Sequence, residues 1–119
     1  MDVNTIKIIQ TSIHYSLHLV LPFIIAFVFY RKNWRQIFSI LLLTMLVDLD
    51  HLIASPIFDP NRCSIGFHPL HSYYAIAFYA ILLFQKNNII RIISFGLLLH
   101  MATDYHDCFW INYINSYNQ

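Results

Sequence analysis

The sequence predicts an all-α protein, a four-helix transmembrane bundle forming one domain over residues 1–119, with its buried polar groups clustered at one end. Three observations predict it. Hydrophobic residues make up 58% of the chain and charged residues 11%, against about 25% charged in an ordinary soluble domain. Charged and turn-forming clusters divide the chain into four apolar segments. When these are laid out as antiparallel helices, their histidines and aspartates fall at one height.

The first segment runs from Ile6 to Tyr30. It lacks a basic leader and a small-residue cleavage site, so it is expected to remain in the mature protein rather than leave as a signal peptide. Leu19 to Tyr30 has no polar face, as a helix against lipid would not. Pro22 is expected to kink it. The second segment, Trp34 to Phe58, follows the short connection Arg31-Lys32-Asn33. A longer loop, Asp59 to Gly66, precedes the third, Pro69 to Gln85, where Pro69 suits a first helical position and leaves His68 in the loop or cap. Lys86-Asn87-Asn88 leads into the fourth, Asn88 to Trp110.

Arg31, Lys32, Arg35, Lys86 and Arg91 flank the two short connections, against Lys7 and Arg62 at the opposite end. The positive-inside rule therefore puts both termini and the Asp59 to Gly66 loop on the non-cytoplasmic side, the expected setting being a bacterial inner membrane. Trp34, Trp110, Tyr30, Tyr113 and Tyr117 stand at segment ends, where amphipathic rings favour the interface. The formal charge of +1 and the lack of any basic run argue against nucleic acid as a partner. Membrane lipid is the expected surrounding.

At about 1.5 Å per residue, His18, Asp48, His71 and Asp104 lie roughly 18 to 20 Å from the cytoplasmic ends of their helices. His14, Asp50, His51, His68 and Asp107 lie roughly 21 to 25 Å up, and His100 sits deeper. His14 and His18 are four apart, and His100, Asp104 and Asp107 form one stripe. Asp48 and His51 are three apart, with Thr44 and Ser55 extending their line. Asp50 and His51 adjoin, so one of them is expected to support the site rather than face it.

The chain has no Glu, and its acids are six Asp. An Asp near the centre of a bilayer costs about 2.5 to 3.5 kcal/mol, so four would cost on the order of 10 kcal/mol without compensation. Apart from Lys7 at the outer end of the first segment, no Lys or Arg lies in the outer halves of the helices to pair with them. A divalent metal, zinc foremost, can compensate, since imidazole and carboxylate are standard ligands and structural zinc contributes roughly 10 to 16 kcal/mol. The expected ligands are His14, His18, Asp48, His51, His68, His71, His100 and Asp104. His106 is expected to be a hydrogen-bonded structural residue. Cys63 and Cys108 form no Cys-x-x-Cys pattern but lie on the same, oxidising side, where they either pair or stay free according to their separation.

Asp48-Leu49-Asp50-His51, His68-Pro69-Leu70-His71-Ser72 and His100-Met101-Ala102-Thr103-Asp104 together resemble motifs of the YdjM-like membrane-bound metal-dependent hydrolases. The string from Thr44 to Tyr73 is more similar still to a group of short four-helix proteins of unknown function. More distantly, the pattern is similar to zinc-dependent phospholipase C and P1-type nucleases, in which the His-x-x-x-Asp pair and a bridging carboxylate hold three zinc ions. Here the second motif has two intervening residues rather than three, and the His-x-x-x-Glu pair is missing. The resemblance thus implies two ions rather than three, with Asp48 bridging or binding them. It implies hydrolysis by a metal-activated water, with Asp50 or Asp107 as general base and a phospholipid or other lipid phosphate as substrate. Two other classes stay open: a membrane metal-binding or ion-transport protein without catalysis, and a bundle tied together by a purely structural metal.

Overall fold

The computed structural model describes residues 1–117. Among them there are four main helices and no strand. Helix α1 spans Val3–Phe29 and α2 spans Trp34–Ile53. A short 3-10 turn at Pro69–His71 precedes α3, Tyr73–Leu82, and α4 spans Asn88–Tyr117. Asp2 opens α1 by accepting from the Thr5 N–H at 3.2 Å. Asn87 opens α4 by accepting from the Ile89 and Ile90 N–H groups at 2.8 and 3.3 Å. Free N–H groups at a helix start are satisfied in this way by short polar side chains.

Helix α4 lies centrally and packs against α1, α2 and α3. Two apolar clusters hold the bundle. Ala26, Ile37 and Leu41 join α1 to α2 toward the basic end, and Val47, Tyr79 and Met101 join α2, α3 and α4. At one point α2 and α4 nearly touch: a Cβ on Gly96 would meet Thr44 Cγ2 at 2.7 Å. Tyr79 donates to the Leu70 carbonyl at 3.0 Å, and the buried Ser94 hydroxyl donates to the Tyr79 carbonyl.

The helices depart from regular α geometry where the polar residues sit. Ser16–Val20 is a π-turn, with the Leu21 N–H bonded to the Ser16 carbonyl. It lies immediately before Pro22, which cannot supply its own N–H. The expected kink is thus relieved as a widened turn containing His18. Helix α2 is α-helical over Trp34–Leu43 and 3-10 over Thr44–Ile53. Its burial repeats every third residue: Leu41, Thr44, Val47 and Asp50 are buried, whereas Leu43, Leu46, Leu49 and Leu52 are exposed. Thr44 therefore shares a stripe with Asp50 and not with Asp48 and His51, contrary to the α-helical expectation. Its hydroxyl donates to the Leu41 carbonyl at 2.6 Å.

Expected boundaries also move: α1 starts at Val3 rather than Ile6, α3 ends at Leu82 rather than Gln85, and three others shift further. Helix α2 stops at Ile53 instead of reaching Phe58, because Ala54 turns to extended backbone ahead of Pro56. Helix α3 starts at Tyr73 rather than Pro69, with the Ser72 hydroxyl accepting from the Ala75 N–H at 3.2 Å. Helix α4 runs past Trp110 to Tyr117 because Ile111 and Ile114 continue its buried stripe.

Two helices, α1 and α2, are long and apolar enough to cross a membrane. Only 17% of the most apolar window of α1 and 33% of that of α2 is buried inside the protein. Helix α3 has ten residues, about 15 Å.

Candidate metal centre

Four elements converge at the end of the bundle away from the basic connections. Helix α1 contributes His14 and His18, α2 contributes Asp48, Asp50 and His51, the Pro69–His71 turn contributes His71, and α4 contributes His100, Asp104 and Asp107.

The innermost group is Asp48, His71, His100 and Asp104. His71 Nε2 lies 3.3 Å from Asp48 Oδ1 and 3.1 Å from Asp104 Oδ2. His100 Nε2 lies 3.1 Å from Asp48 Oδ1 and 3.4 Å from Asp104 Oδ2. Each nitrogen thus faces the same two oxygens. Ligands about 2.0 to 2.2 Å from a tetrahedral zinc are separated by roughly 3.3 to 3.5 Å, so all four nitrogen–oxygen distances match the edges of such a tetrahedron to within about 0.2 Å.

Of these four contacts only His100 Nε2 to Asp48 Oδ1 has hydrogen-bond geometry. His71 Nε2 and His18 Nε2 are buried and have no hydrogen-bond partner among the described residues. Yet both have a carboxylate oxygen within 3.4 Å. Atoms whose lone pairs point to a common centre stand at such distances without aiming at one another. Buried polar nitrogens without partners are uncommon and call for an ion or ligand. Two neutral imidazoles and two carboxylates also fit a divalent cation in charge and donor type. These buried His and Asp groups can hold a metal ion.

Asp104 extends the centre. While Oδ2 faces His71 and His100, Oδ1 lies 3.4 Å from His18 Nε2. His14, His18 and Asp104 form a second group able to hold an ion. The His14 and His18 rings are 4.5 Å apart, and His18 and His100 are 4.4 Å apart. His14 Nδ1 lies 3.8 Å from Asp107 Oδ1, which also accepts from Gln10 Nε2 at 2.8 Å. Gln10 carried no signal beyond standing four residues before His14 on the same helix.

Asp50 acts through its neighbours. It is buried, and Oδ2 accepts from the Leu70 N–H at 2.8 Å and from His71 Nδ1 at 3.0 Å. Oδ1 faces His51 Nδ1 at 3.1 Å. With Nδ1–H held by Asp50, His71 presents Nε2 to the centre, the carboxylate–histidine pairing that orients metal ligands and raises their basicity. The 3-10 geometry makes this possible. Asp48 and Asp50 diverge by about 120° at three residues per turn, rather than about 160° on an α-helix, and so flank the same imidazole. Asp50, His51 and His71 form a third His/Asp group.

His51 is held by the Asp48 carbonyl at 3.1 Å and Ser64 Oγ at 3.2 Å, with Asp48 Oδ1 at 3.6 Å. His68 belongs to none of the three groups and stacks on His51 with ring centres 3.9 Å apart. Burial, and then the proximity of His51, keeps the His68 pKa below that of an ordinary imidazole. His106 lies on the exposed side of α4, where Nε2 accepts from Trp110 Nε1 at 3.3 Å.

A cavity of about 370 Å³ opens over the centre. Asp48, His51, His14, Asp104 and Asp107 form its floor, the loop residues Phe58 to Arg62 with Ser64 one wall, and Cys108, Ile111 and Ile114 of α4 the facing wall. Lys7, Gln10 and Thr11 of α1 also line it. Cys63 and Cys108 are joined in a disulfide, their Cα atoms 4.9 Å apart.

A family model described as a family of unknown function (DUF6122) matches residues 8–111. No curated protein and no solved structure matches the chain. The comparisons thus give no support to the resemblance to YdjM-like hydrolases, zinc-dependent phospholipase C or P1-type nucleases.

Proposed function

The chain belongs to the DUF6122 family of unknown function, and from its His/Asp centre we propose that it is an integral membrane metal-dependent hydrolase acting on a phosphoester, with a lipid phosphate as the substrate class. The observation that carries this reading is the set of four nitrogen–oxygen distances around Asp48, His71, His100 and Asp104, all between 3.1 and 3.4 Å, joined through Asp104 to His18 and His14. One ion would sit in the four-residue group and a second against His14, His18 and Asp104, zinc being the metal the donors suit best. Ions so held would supply an acidified water and charge stabilisation for the leaving oxygen.

The protein groups have distinct tasks. Asp50 holds His71 in one tautomer, and Asp104 directs one oxygen to each group. Asp107 is partly exposed, lines the cavity and stands beside His14, so it is the group placed to take a proton from an attacking water. Asp50, with both oxygens engaged by neighbouring donors, is poorly placed for that role.

A membrane setting is supported by the apolar surface left uncovered. The leucine row on α2 and Phe23, Phe27 and Phe29 on α1 are exposed, far beyond what a soluble monomer usually shows. The long axis of 49 Å exceeds the roughly 30 Å hydrocarbon core. The disulfide favours an oxidising compartment for the cavity end, and the basic connections favour the cytoplasm for the other. A site at headgroup depth suits a phospholipid or lipid-phosphate substrate.

The test is metal analysis of detergent-purified protein combined with turnover on phospholipid vesicles and on a soluble phosphodiester. Bound zinc with hydrolysis that Asp48→Asn abolishes is the expected result. Bound metal with no turnover on any phosphoester overturns the hydrolase, and metal flux into sealed vesicles would point to transport instead. Preparations that never retain a divalent ion overturn the whole reading.

A further inference from the structure

Two walls of the cavity are joined by a covalent seam. One of its walls is the loop between α2 and the Pro69–His71 turn, and the facing wall is the outer part of α4. The Cys63–Cys108 disulfide joins the two. Cys108 stands one helical turn beyond Asp104, next to Asp107, and itself lines the cavity. The loop side is equally close to the centre: Ser64 Oγ holds His51 Nε2 at 3.2 Å, and the Gly66 N–H donates to the His71 carbonyl at 3.0 Å. The bond thus spans from the helix of Asp104 to the loop that leads into the turn carrying His71.

We propose that this disulfide is a redox latch on the metal centre: oxidised, it fixes the loop over the ions, and reduced by a dithiol, it opens the cavity and lets them exchange. The inference rests on the metal-centre reading above and adds regulation to it. In the opening step a dithiol thiolate attacks one cystine sulfur, the Sγ–Sγ bond breaks, and the other cysteine leaves as thiolate and takes up a proton. The second dithiol thiol then attacks the mixed disulfide, displaces the cysteine still held in it, which takes up a proton, and closes a cyclic disulfide. Two electrons and two protons pass to the protein, and the dithiol is oxidised.

Access and consequence both follow from position. Cys63 is half-buried at the loop edge and Cys108 borders a cavity large enough for a small dithiol. With the bond open, residues 54–68 form a stretch without helix, tied to the site by Ser64, by Gly66, by the His68 carbonyl accepting from the His71 N–H at 3.0 Å, and by the His68 and Phe58 rings stacked on His51, with no covalent bond left to α4. His14, which has only two partners in its ion group and lines the cavity, is the ligand most exposed by the change.

The experiment loads the full-length protein with zinc in detergent, treats it with dithiothreitol, and follows zinc release to a chromogenic chelator while thiol alkylation reports cleavage and circular dichroism reports helix content. Dithiothreitol also binds zinc, so a matched arm uses the Cys63→Ser/Cys108→Ser double variant without reductant. Release at least tenfold faster in both arms, with helix content retained, is expected. Release within twofold of the oxidised protein, with both thiols alkylated, overturns the latch while leaving the metal centre standing. Loss of helix in parallel with zinc also overturns it, because the bond would then only hold the fold together. Protein that takes up no zinc in either redox state overturns the underlying reading instead.

Discussion

Gly96 offers the sharpest way to test whether the geometry of the centre depends on the helix crossing beneath it. A Cβ at this position would lie 2.7 Å from Thr44 Cγ2, 2.9 Å from Thr44 Oγ1 and 3.1 Å from Leu41 Cδ2. The closest of these falls about 0.7 Å short of the 3.4 Å at which ordinary contact begins. Gly96→Ala must therefore push α2 and α4 apart by several tenths of an ångström. Asp48 lies four residues beyond Thr44 on α2 and His100 four residues beyond Gly96 on α4, and these two side chains meet at 3.1 Å. Metal sites tolerate about 0.2 Å in ligand distance, so the displacement exceeds what the centre can absorb. Overpacking of this size costs about 1 to 3 kcal/mol of stability. Metal affinity should fall by roughly 10 to 100-fold, as when an outer partner of a ligand is lost. Competition titration with a chelator of known affinity measures the effect. Adding Thr44→Ala, which removes both nearest atoms, should restore most of the affinity. Unchanged affinity in Gly96→Ala, or no recovery in the double variant, would refute the idea that this crossing sets the ligand geometry.

Other substitutions separate the roles of the carboxylates. Asp104→Asn should reduce bound metal at both groups, whereas Asp48→Asn should reduce it at one, as read by elemental analysis per chain. Asp50→Asn keeps the shape of the side chain and an acceptor for the Leu70 N–H, so helix content should hold while affinity drops about 10 to 100-fold; an unaltered affinity would remove Asp50 from the support of His71. Asp107→Asn should leave the metal content unchanged and slow turnover by roughly 10² to 10⁴-fold, and a normal rate would dismiss it as the base. Chelation of the wild-type protein should lower its thermal midpoint, by an amount corresponding to about 2.7 kcal/mol if free ion had stood at 100 times its dissociation constant.

The division into four apolar segments was legible because Lys, Arg, Asn and Asp are so few that each cluster marks a boundary. The convergence of polar groups was legible in part for the same reason: His18, Asp48, His71 and Asp104 fell at one height, whereas His100, placed deeper, joins Asp48, His71 and Asp104 in the innermost group. Less visible were the groups that act through others. The role of Asp50 depends on which way it points relative to Asp48, and that in turn depends on the helix type of residues 44–53. His68 was expected as a ligand from its height beside the other polar residues, although Pro69 left it in the loop or cap; it stacks on His51, lines the cavity and belongs to none of the three candidate groups.

A signal for the helix type was nevertheless present. Leu43, Leu46, Leu49 and Leu52 recur every third residue, a period that on an α-helix would drift about 60° per repeat and wind the leucines around the axis. On a 3-10 helix they stay in one row, and that row is the exposed face of α2. An extended 3-10 run is costly in hydrogen-bond geometry, so its persistence over ten residues requires compensation. Two gains are coupled here: the leucines stay in one outward row, and the 120° step lets Asp48 and Asp50 face opposite nitrogens of His71. An α-helical α2 with the same sequence would turn one of these carboxylates away from the imidazole and bring a leucine row across the core. The irregular helix is thus the device by which three adjacent polar residues, Asp48, Asp50 and His51, serve one centre from a single strand of backbone.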